Sequence, residues 1–310
     1  MSSLFSDLDV NVQLDVPLGP MTWYGVGGHA DILIRPLTVD ALSTLVKRCR
    51  RTGTPLHILG SGANLLVSDA GVDGVVITLD SPAFKEIRFE PHRDATLLRA
   101  MAGADMAKTL NETVRRGFGG LVQMAGIPAS IGGAIRMNAG GAFGSIGDTV
   151  HSVTCISRKG DVVTYPATEL TFGYRRSNIP DPIIISASFL LHDDDPVELR
   201  HRVKEIFAYK KSTQPLAEHS AGCAFKNPVD PVSEDRVSAG MLIDRAGLKG
   251  FRIGSAVVSD QHANFLTVDP GGQADDLIRL MEIVQAKVYA HAGIELEREV
   301  AVWRRGEMDC

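Results

Sequence analysis

Glycine is concentrated in one internal segment of the chain. The segment from Gly126 to Gly144 holds six of the 31 glycines. Glycine weakens helices and strands, so neither element is expected to cover this segment unbroken. Pro128, just before Ala129 and Ser130, suits the first turn of a short helix, whose N–H groups would face a pyrophosphate. The segment therefore predicts a dinucleotide-binding loop, with a purely structural glycine-rich crossing as the alternative.

A second glycine-rich loop follows the apolar stretch that ends at Leu59. It reads Gly60-Ser61-Gly62-Ala63-Asn64-Leu65. Its glycines allow the backbone to point N–H groups at an anion, and Ser61 and Asn64 add side-chain donors. A plain tight turn accounts for the loop equally well. The Rossmann fingerprint is rejected, because the third glycine is missing and the residues after Asn64 do not open a helix.

The composition excludes several classes of protein. With 310 residues, 44% of them apolar and 22% charged, the chain is expected to be globular with two or three subdomains. A net charge of -5 argues against a nucleic-acid partner. No signal peptide and no apolar run of the ~20 residues that span a bilayer is evident.

The four cysteines are widely spaced and show no zinc-binding pattern, so no metal is expected and a reducing cytoplasm is the natural setting. Cys49 and Cys155 are expected to be buried, and the terminal Cys310 to be unimportant.

Hydrophobic periodicity predicts a mixed helix and strand protein. The predicted strands cover 30–35, 55–59, 75–79, 84–89, 96–101, 150–157, 162–165, 183–191, 255–259, 264–268 and 294–302. The predicted helices cover 38–52, 104–117, 196–211, 239–246 and 274–291. Thr38 is a candidate cap for the first of these helices, and apolar residues share one face of the first and of the last. The turn 158–161 predicts a hairpin between the strands at 150–157 and 162–165. The opening strand–helix–strand order indicates an α/β unit, and the polar run 192–196 indicates a domain boundary.

Two glycine-rich loops on two α/β units resemble the FAD-binding fold of the vanillyl-alcohol-oxidase (PCMH) type. Within that fold, blocks spread over nearly the whole chain resemble the UDP-N-acetylenolpyruvoylglucosamine reductase family. The matching blocks are 22–28, 60–66, 125–134, 172–177, 222–228, 242–250, 261–265 and 297–300. The resemblance implies an α+β fold with FAD-binding subdomains at 1–80 and 81–195 and a substrate-binding domain at 196–310.

The resemblance also implies an activity. Family members use non-covalent FAD and NADPH to reduce UDP-N-acetylglucosamine enolpyruvate to UDP-N-acetylmuramate, in peptidoglycan precursor synthesis in the bacterial cytoplasm. Hydride goes from the flavin to C3 of the enolpyruvyl group, and an enzyme acid protonates C2. A monomer is expected. The implied FAD contacts are Gly60, Ser61, Gly62, Ala63, Asn64, Leu65, Gly126, Ile127, Pro128, Ser130, Gly132, Gly133 and Asn138.

The resemblance assigns catalytic roles to Arg175, Glu299 and Cys223. Arg175 would hold the substrate carboxylate and stabilise the enolate, and without the resemblance it would be taken for a surface arginine on a turn. Glu299 would polarise the carboxylate end together with Arg175. Glu295, Glu297 and Glu299 fall on one face of the predicted strand, and such a face is usually solvated.

Cys223 occupies the position where most family members carry the serine that protonates C2. A thiol, with a reference pKa of about 8.5, is a stronger acid than a hydroxyl and can deliver that proton. Lys226 and Asn227 are expected to face the UDP part of the substrate, with a solvated loop cation as the alternative for Lys226. The short distance in sequence from Arg175 to Tyr209 indicates the shorter subtype of the family, which lacks an extra tyrosine-bearing loop.

Two alternatives remain at this stage. One is another FAD oxidoreductase of the same fold that acts on an alcohol or a sugar. The other is a non-enzymatic nucleotide-binding regulator built on the same scaffold. Flavin content and reduction by NADPH distinguish them, because fold alone does not determine function.

Overall fold

The computed structural model describes residues 4–215 and 219–307, so Cys310 lies outside the described part. The strands are β1 Val10–Pro17, β2 His29–Pro36, β3 Leu56–Leu59, β4 Leu65–Val67, β5 Val72–Thr78, β6 Ile87–His92, β7 Ala95–Met101, β8 Phe118–Gly119, β9 Gly140–Gly141, β10 Gly144–Ser145, β11 Val150–Ile156, β12 Val162–Pro166, β13 Phe172–Gly173, β14 Arg176–Ser177, β15 Ile183–Asp193, β16 Arg252–Ile253, β17 Ala256–Val258, β18 Leu266–Val268 and β19 Ala301–Trp303. The helices are α1 Val39–Thr52, α2 Met106–Arg115, α3 Ile131–Arg136, α4 Pro196–Thr213, α5 Ala239–Arg245 and α6 Ala274–Ala292.

The chain forms two compact units. The first takes the chain up to Leu14 together with Ile32–Ser61 and Gly74–Lys210. The second takes Asp15–Asp31, Gly62–Asp73 and the chain from Lys211 onward. The division into 1–80, 81–195 and 196–310 stays a prediction.

The first unit contains the predicted strand–helix–strand opening. A four-stranded sheet has the order β1-β2-β5-β3, in which β3 and β5 run parallel. Helix α1 begins as predicted, because the Thr38 hydroxyl accepts a hydrogen bond of 3.1 Å from the Ala41 amide. Its apolar face, which includes Leu42, Leu45 and Cys49, is buried in the core of this unit.

A larger antiparallel sheet completes the first unit. Its order is β12-β11-β15-β7-β6, and β8 pairs with the end of β15. The predicted hairpin is present as β11 and β12, and Cys155 on β11 is fully buried as predicted. Burial raises the pKa of Cys155 to about 12 and that of Cys49 to about 11, so both thiols are inert near neutral pH.

The second unit is built around α6. The predicted apolar face of this helix, with Leu277, Leu280 and Val284, is fully buried, and Gly293 ends the helix in the left-handed conformation. The antiparallel sheet β16-β17-β18 and α5 share the same core. Strands β4 and β19 pair in parallel, so the chain after Asn64 lies beside the chain after Val300.

Three predictions of local structure were wrong. The amino-terminal arm contains β1, which periodicity did not reveal because its side chains are mostly exposed. The predicted strand at 84–89 is a 3₁₀ turn at 82–84 followed by β6. The predicted final strand at 294–302 shortens to β19, because only 301–303 find a partner strand in β4.

Among the described residues, no helix combines the length and the apolar character needed to cross a bilayer.

Candidate functional site

The two predicted glycine-rich loops meet in the first unit. A Cβ atom built on Gly60 would lie 2.8 Å from the Ser130 hydroxyl oxygen, which is closer than real Cβ contacts. Only glycine therefore allows the end of β3 to approach the start of α3 this closely. Gly132 is similarly tight, because a Cβ there would lie 2.9 Å from the Ala102 Cβ. The structure thus brings together two segments whose relation in space was not readable from the sequence.

The start of α3 does not offer free N–H groups, contrary to the interpretation from the sequence. The Ile131 amide donates to the Ala104 carbonyl at 2.9 Å, and the Gly132 amide donates to the Ala102 carbonyl at 2.8 Å. The third amide, of Gly133, donates to the Ser130 hydroxyl at 3.3 Å, so Ser130 is the helix cap. The helix begins three residues after Pro128, and its first amides are used to dock it on the chain after β7.

The loop after β3 has open donors instead. Among the described residues, the main-chain amides of Ser61, Gly62 and Ala63 donate no hydrogen bond. Gly62 adopts a φ of 65°, and a Cβ there would collide with the Met21 carbonyl. Consecutive amides that are held by such a turn and lack a protein acceptor suit an anionic group such as a phosphate. Leu65 differs from its neighbours, since it begins β4 and is buried.

Asn138 braces the chain around it. Its side-chain amide donates to the Gly173 carbonyl at 2.8 Å, and its side-chain oxygen accepts from the Gly147 amide at 3.0 Å. The residue is 5% exposed and has a φ of 42°. Asn138 therefore supports the hairpin that follows, while its assignment to FAD stays a prediction. Gly126, Ile127 and Pro128 form the bend that leads to α3.

Arg175 lies at the tip of a tight hairpin. Strands β13 and β14 pair through Gly173 and Arg176, which leaves Tyr174 and Arg175 as the turn. Arg175 adopts a φ of 54°, a left-handed conformation that is unfavourable for a non-glycine residue. Its guanidinium lies 5.2 Å from the centre of the Tyr174 ring. Arg175 is half-buried whereas its neighbour Arg176 is exposed.

Hydrogen bonds with α3 support the hairpin of β13 and β14 that carries Arg175. The Arg136 side chain on α3 donates to the main-chain carbonyls of Ile179 and Asp181. The Ser177 hydroxyl donates back to the Arg136 carbonyl at 3.0 Å. A strained turn persists when the surrounding contacts define it, and these contacts supply that definition.

Lys210 is a site residue that sequence reasoning missed. Its ammonium donates a hydrogen bond of 2.5 Å to the Ala125 carbonyl, directly before Gly126, and the side chain is buried. Burial, and then the charge of Arg175, lower the pKa of Lys210 to about 8. Lys210 therefore connects the end of α4 with the second glycine-rich loop. Periodicity could not reveal it, because a lysine on an amphipathic helix is normally taken as exposed.

Cys223 lies in a segment that is hydrogen-bonded to two other segments of the second unit. The Asn264 side chain is buried and pairs with both polar groups of the Phe225 backbone, at 3.0 Å and 2.8 Å. The Ala224 amide donates to the Asn264 carbonyl at 2.7 Å, and Cys223 forms a bridge with Phe265. Cys223 itself is half-buried. Gly222 has a φ of 79°, and a Cβ built on it would meet no atom of the described residues within 4 Å.

Glu299 lies on the other side of the same segment. Its amide donates to the Ala224 carbonyl at 2.8 Å, and Phe225 forms a bridge with Arg298. The structure thus brings Cys223 and Glu299, 76 positions apart in the sequence, onto neighbouring stretches of backbone. Glu295 and Glu297 are exposed while Glu299 is half-buried, which separates Glu299 from the solvated face expected for all three.

Lys226 and Asn227 both have protein partners. The Lys226 ammonium lies 2.6 Å from a Glu297 carboxylate oxygen, and 73% of the glutamate side chain is exposed. The Asn227 side-chain oxygen accepts from the Ala239 amide at 3.0 Å and so supports the start of α5. Their contact with the UDP portion stays a prediction.

Two family models match the chain. One is described as an FAD binding domain and matches residues 30–165. The other is described as the C-terminal domain of UDP-N-acetylenolpyruvoylglucosamine reductase and matches residues 214–303. The first match includes both glycine-rich loops and the second includes Cys223 and Glu299, whereas Arg175 and Lys210 lie between the two matched ranges.

Curated relatives match almost the whole chain. The UDP-N-acetylenolpyruvoylglucosamine reductase of Heliobacterium modesticaldum is 39% identical over 288 residues, covering 92% of this chain and 88% of the relative. The enzyme of the same name from Syntrophobacter fumaroxidans is 37% identical over 297 residues, covering 95% and 84%. The chain belongs to the UDP-N-acetylenolpyruvoylglucosamine reductase family.

A solved structure agrees with this membership. The crystal structure of the Thermus caldophilus reductase superposes with a TM-score of 0.76 at 35% identity, covering 95% of this chain and 98% of that one. The predicted family and the predicted α+β fold, with an FAD-binding fold of the vanillyl-alcohol-oxidase type, are confirmed. The family's reductase activity belongs to peptidoglycan precursor synthesis, and FAD is its cofactor.

The described residues fit FAD. Glycine at position 60 lets the two glycine-rich loops meet closely, with the Ser130 hydroxyl filling the space that a side chain at position 60 would need. The open amides of Ser61, Gly62 and Ala63 suit the pyrophosphate of such a cofactor. The donors for an anion therefore come from the first loop and not from the start of α3.

Proposed function

We propose that this reductase uses NADPH to convert UDP-N-acetylglucosamine enolpyruvate to UDP-N-acetylmuramate. The observation that carries the proposal is the pairing of the Cys223 segment with the Glu299 segment, through the 2.8 Å hydrogen bond from the Glu299 amide to the Ala224 carbonyl. This pairing supports the proposal because the thiol of Cys223 and the carboxylate of Glu299 lie on adjacent stretches of backbone. Such rigid placement is what acid catalysis of a reduction requires.

Bound FAD supplies the hydride chemistry, accepting hydride from NADPH and delivering it to C3 of the enolpyruvyl group. The protein must hold the enolpyruvyl carboxylate, stabilise negative charge at the enolate oxygen and supply a proton to C2. Each of these tasks falls to a named side chain.

Arg175 holds the substrate carboxylate. A guanidinium forms two parallel charge-assisted hydrogen bonds with a carboxylate, and these strengthen as negative charge develops at the enolate. The left-handed turn at the hairpin tip presents the Arg175 side chain differently from that of the exposed Arg176. Glu299 acts on the same carboxylate end and polarises it together with Arg175.

Cys223 protonates C2. The S–H bond breaks, a C–H bond forms at C2, and the electron pair of the S–H bond stays on sulfur as a thiolate. Water then returns a proton to the sulfur before the next turnover. Cys223 is half-buried beside open backbone at Gly222, which gives a planar substrate access to the thiol.

Lys226 and Asn227, which follow Cys223 in the chain, bind the UDP portion. Their present partners, Glu297 and the Ala239 amide, hold both side chains near the donor segment. The short connection between β15 and α4, formed by Asp194 and Asp195, supports assignment to the shorter subtype. A monomer and a location in the bacterial cytoplasm stay predictions.

The test is a two-step spectroscopic titration without oxygen. The purified protein should show a flavin spectrum, lose the yellow colour on addition of NADPH, and regain it on addition of UDP-N-acetylglucosamine enolpyruvate. Identification of UDP-N-acetylmuramate by mass spectrometry completes the assignment.

Other outcomes separate the alternatives. Recovery of colour with oxygen or a sugar, and not with the enolpyruvyl substrate, would favour an oxidase of the same fold. A protein that binds no FAD even after reconstitution would favour a non-enzymatic regulator and would sink the proposal.

A further inference from the structure

Arg175 lies on a hairpin whose own strands are too short to hold it in place. Strands β13 and β14 form a separate two-stranded sheet with two residue pairs, Phe172 with Ser177 and Gly173 with Arg176. Even a longer isolated hairpin is only marginally stable in water. Arg175 also has a φ of 54°, a left-handed conformation that a non-glycine residue keeps only when its surroundings impose it. Contacts from outside the hairpin must therefore set the direction of the Arg175 side chain.

The end of α3 supplies such contacts to both strands of the hairpin. On β13, the Gly173 carbonyl accepts a hydrogen bond of 2.8 Å from the side-chain amide of Asn138. On β14, the Ser177 hydroxyl donates a hydrogen bond of 3.0 Å to the main-chain carbonyl of Arg136. Gly173 and Ser177 each lie two positions from Arg175 in the sequence. Both sides of the turn are thus tied to the same short stretch of chain.

The Arg136 guanidinium fixes the chain that leaves the hairpin. It donates a hydrogen bond of 2.9 Å to the Ile179 carbonyl and another to the Asp181 carbonyl. Both acceptor residues are buried, and the Asp181 carboxylate accepts a further bond of 2.7 Å from the Tyr165 hydroxyl on β12. The planar guanidinium presents several donors in a fixed fork, whereas a lysine offers a single flexible ammonium. Arg136 therefore defines the hairpin through its backbone and through its side chain.

The other end of α3 is anchored near the first glycine-rich loop. Its cap, Ser130, lies against Gly60, and its first amides donate to the chain after β7. The helix has six residues, so its two ends are only about 9 Å apart. One short helix thus connects the loop expected to bind the cofactor with the hairpin that carries Arg175.

We propose that Arg136 is a positioning residue, which holds the hairpin of β13 and β14 so that Arg175 meets the enolpyruvyl carboxylate. This inference rests on the proposed function, since it takes Arg175 as the partner of that carboxylate. Arg136 acts through Arg175 in this role, and no bond to Arg136 forms or breaks in the reaction. The alternative is that Arg136 only stabilises the segment after β14.

The test compares two ligands that differ in the carboxylate. UDP-N-acetylglucosamine enolpyruvate carries it, and UDP-N-acetylglucosamine lacks it. Isothermal titration calorimetry on the FAD-loaded enzyme without NADPH gives both dissociation constants, independently of turnover. Arg136→Met should weaken binding of the enolpyruvyl ligand about tenfold, in the range of one lost hydrogen bond to a charged group, and leave binding of the other ligand unchanged. A general loss of structure would weaken both.

Matched variants separate positioning from other effects of the substitution. Arg136→Lys should recover part of the lost affinity, because a lysine can still donate to one of the two carbonyls. Arg115→Met is the control, since Arg115 is an exposed arginine on α2, and both dissociation constants should stay unchanged. Ser177→Ala removes the bond from β14 to the Arg136 carbonyl and should weaken only the enolpyruvyl ligand. It carries the test if Arg136→Met does not fold.

A double-mutant cycle measures the coupling between the two arginines. Arg175→Ala should weaken binding of the enolpyruvyl ligand. Arg136→Met added to Arg175→Ala should change the dissociation constant less than about twofold further, because the group that it positions is already absent. Additive effects would contradict a role through Arg175. Flavin absorbance and thermal unfolding show which variants are folded and loaded with FAD.

The two proposals fail in different ways. If Arg175→Ala weakens the enolpyruvyl ligand, but Arg136→Met and Ser177→Ala have no effect or weaken both ligands equally, the inference about Arg136 is wrong and the function stands. If Arg175→Ala leaves binding of the enolpyruvyl ligand unchanged, or this ligand does not reoxidise the wild-type flavin, the proposed function falls and takes this inference with it.

Discussion

The Asn64 side-chain amide donates a hydrogen bond of 3.0 Å to the main-chain carbonyl of Glu299. The Asn64 carbonyl accepts another, of 3.2 Å, from the Ala301 amide. Asn64 therefore fixes the segment that carries Glu299, and its assignment as an FAD contact stays a prediction.

Asn64→Ala should therefore impair placement of Glu299. We expect a loss of stability of about 1 kcal/mol and a fall in kcat larger than any change in FAD content. Thermal unfolding, flavin absorbance and steady-state kinetics measure these effects, with Asn11→Ala on the exposed face of β1 as control. A variant that loses FAD but reoxidises normally once loaded would show that Asn64 serves the cofactor instead.

Cys223 should be required only for the second half-reaction. Cys223→Ala should slow flavin reoxidation by the enolpyruvyl substrate by about 100-fold or more, the usual contribution of a general acid. Cys223→Ser should retain a substantial part of the rate, since a hydroxyl can also donate the proton. Stopped-flow absorbance separates this step from reduction by NADPH, and Cys49→Ala is the control thiol because Cys49 is buried in the other unit.

Glu299 should differ from the two glutamates near it. Glu299→Gln removes the charge but keeps the shape, and we expect kcat to fall about 100-fold. Glu295→Gln should have no effect, because that side chain is exposed. Equal effects of the two substitutions on kcat would contradict the assignment of Glu299.

Substitution of Arg175 should stabilise the fold and lower the activity. Arg175→Gly relieves the left-handed backbone at φ 54° and should stabilise the fold by about 1 kcal/mol. The same change should lower kcat/KM about 100-fold through loss of the carboxylate partner. Urea unfolding and steady-state kinetics measure the two effects. Arg176→Ala is the matched control. A similar loss of activity in this control would contradict the assignment of Arg175 as the partner of the substrate carboxylate.

Lys210 should make the stability of the fold depend on pH. Its pKa of about 8 lies below the ordinary value, so the folded protein binds fewer protons than the unfolded chain between about pH 8 and 10.5. The buried charge of Lys210 destabilises the fold to its full extent below pH 8, and this destabilisation decreases as pH rises through that window. Between pH 7 and 9.5, the free energy of unfolding of the wild type should rise by about 2 kcal/mol relative to that of Lys210→Met.

Urea unfolding at the two pH values measures this difference. Lys211→Met, which removes an exposed neighbour, should follow the wild type. Parallel pH dependence in Lys210→Met and wild type would show that Lys210 is not the group responsible.

Much of the fold could be predicted because its signals are local. Helix α1 was found from the Thr38 cap and its apolar face, and α6 from five apolar residues on one face. The hairpin of β11 and β12 followed from its turn. β19 could not be delimited, because its extent depends on pairing with β4, more than two hundred residues earlier in the chain.

The candidate site was predictable in its residues but not in how they are used. Arg175, Cys223 and Glu299 were identified from blocks that resemble a family, and the family itself is confirmed. The roles of Ser130 as a cap and of Asn138 as a brace were not readable, because each depends on which carbonyl or amide lies opposite. Lys210 was missed because a sequence gives no sign that distant segments will bury a lysine.

The sequence by itself determined where backbone can turn and which helix faces are apolar, since glycine conformation, capping and periodicity act over a few residues. Tertiary structure alone decided that the amides at the start of α3 are consumed while those of the first loop stay open. It also decided that Glu299 lies beside the Cys223 segment and that Lys210 is buried against the second glycine-rich loop. Hydrogen-bond partners and desolvation are set by groups that meet only when the chain has folded, and these control the chemistry of the site.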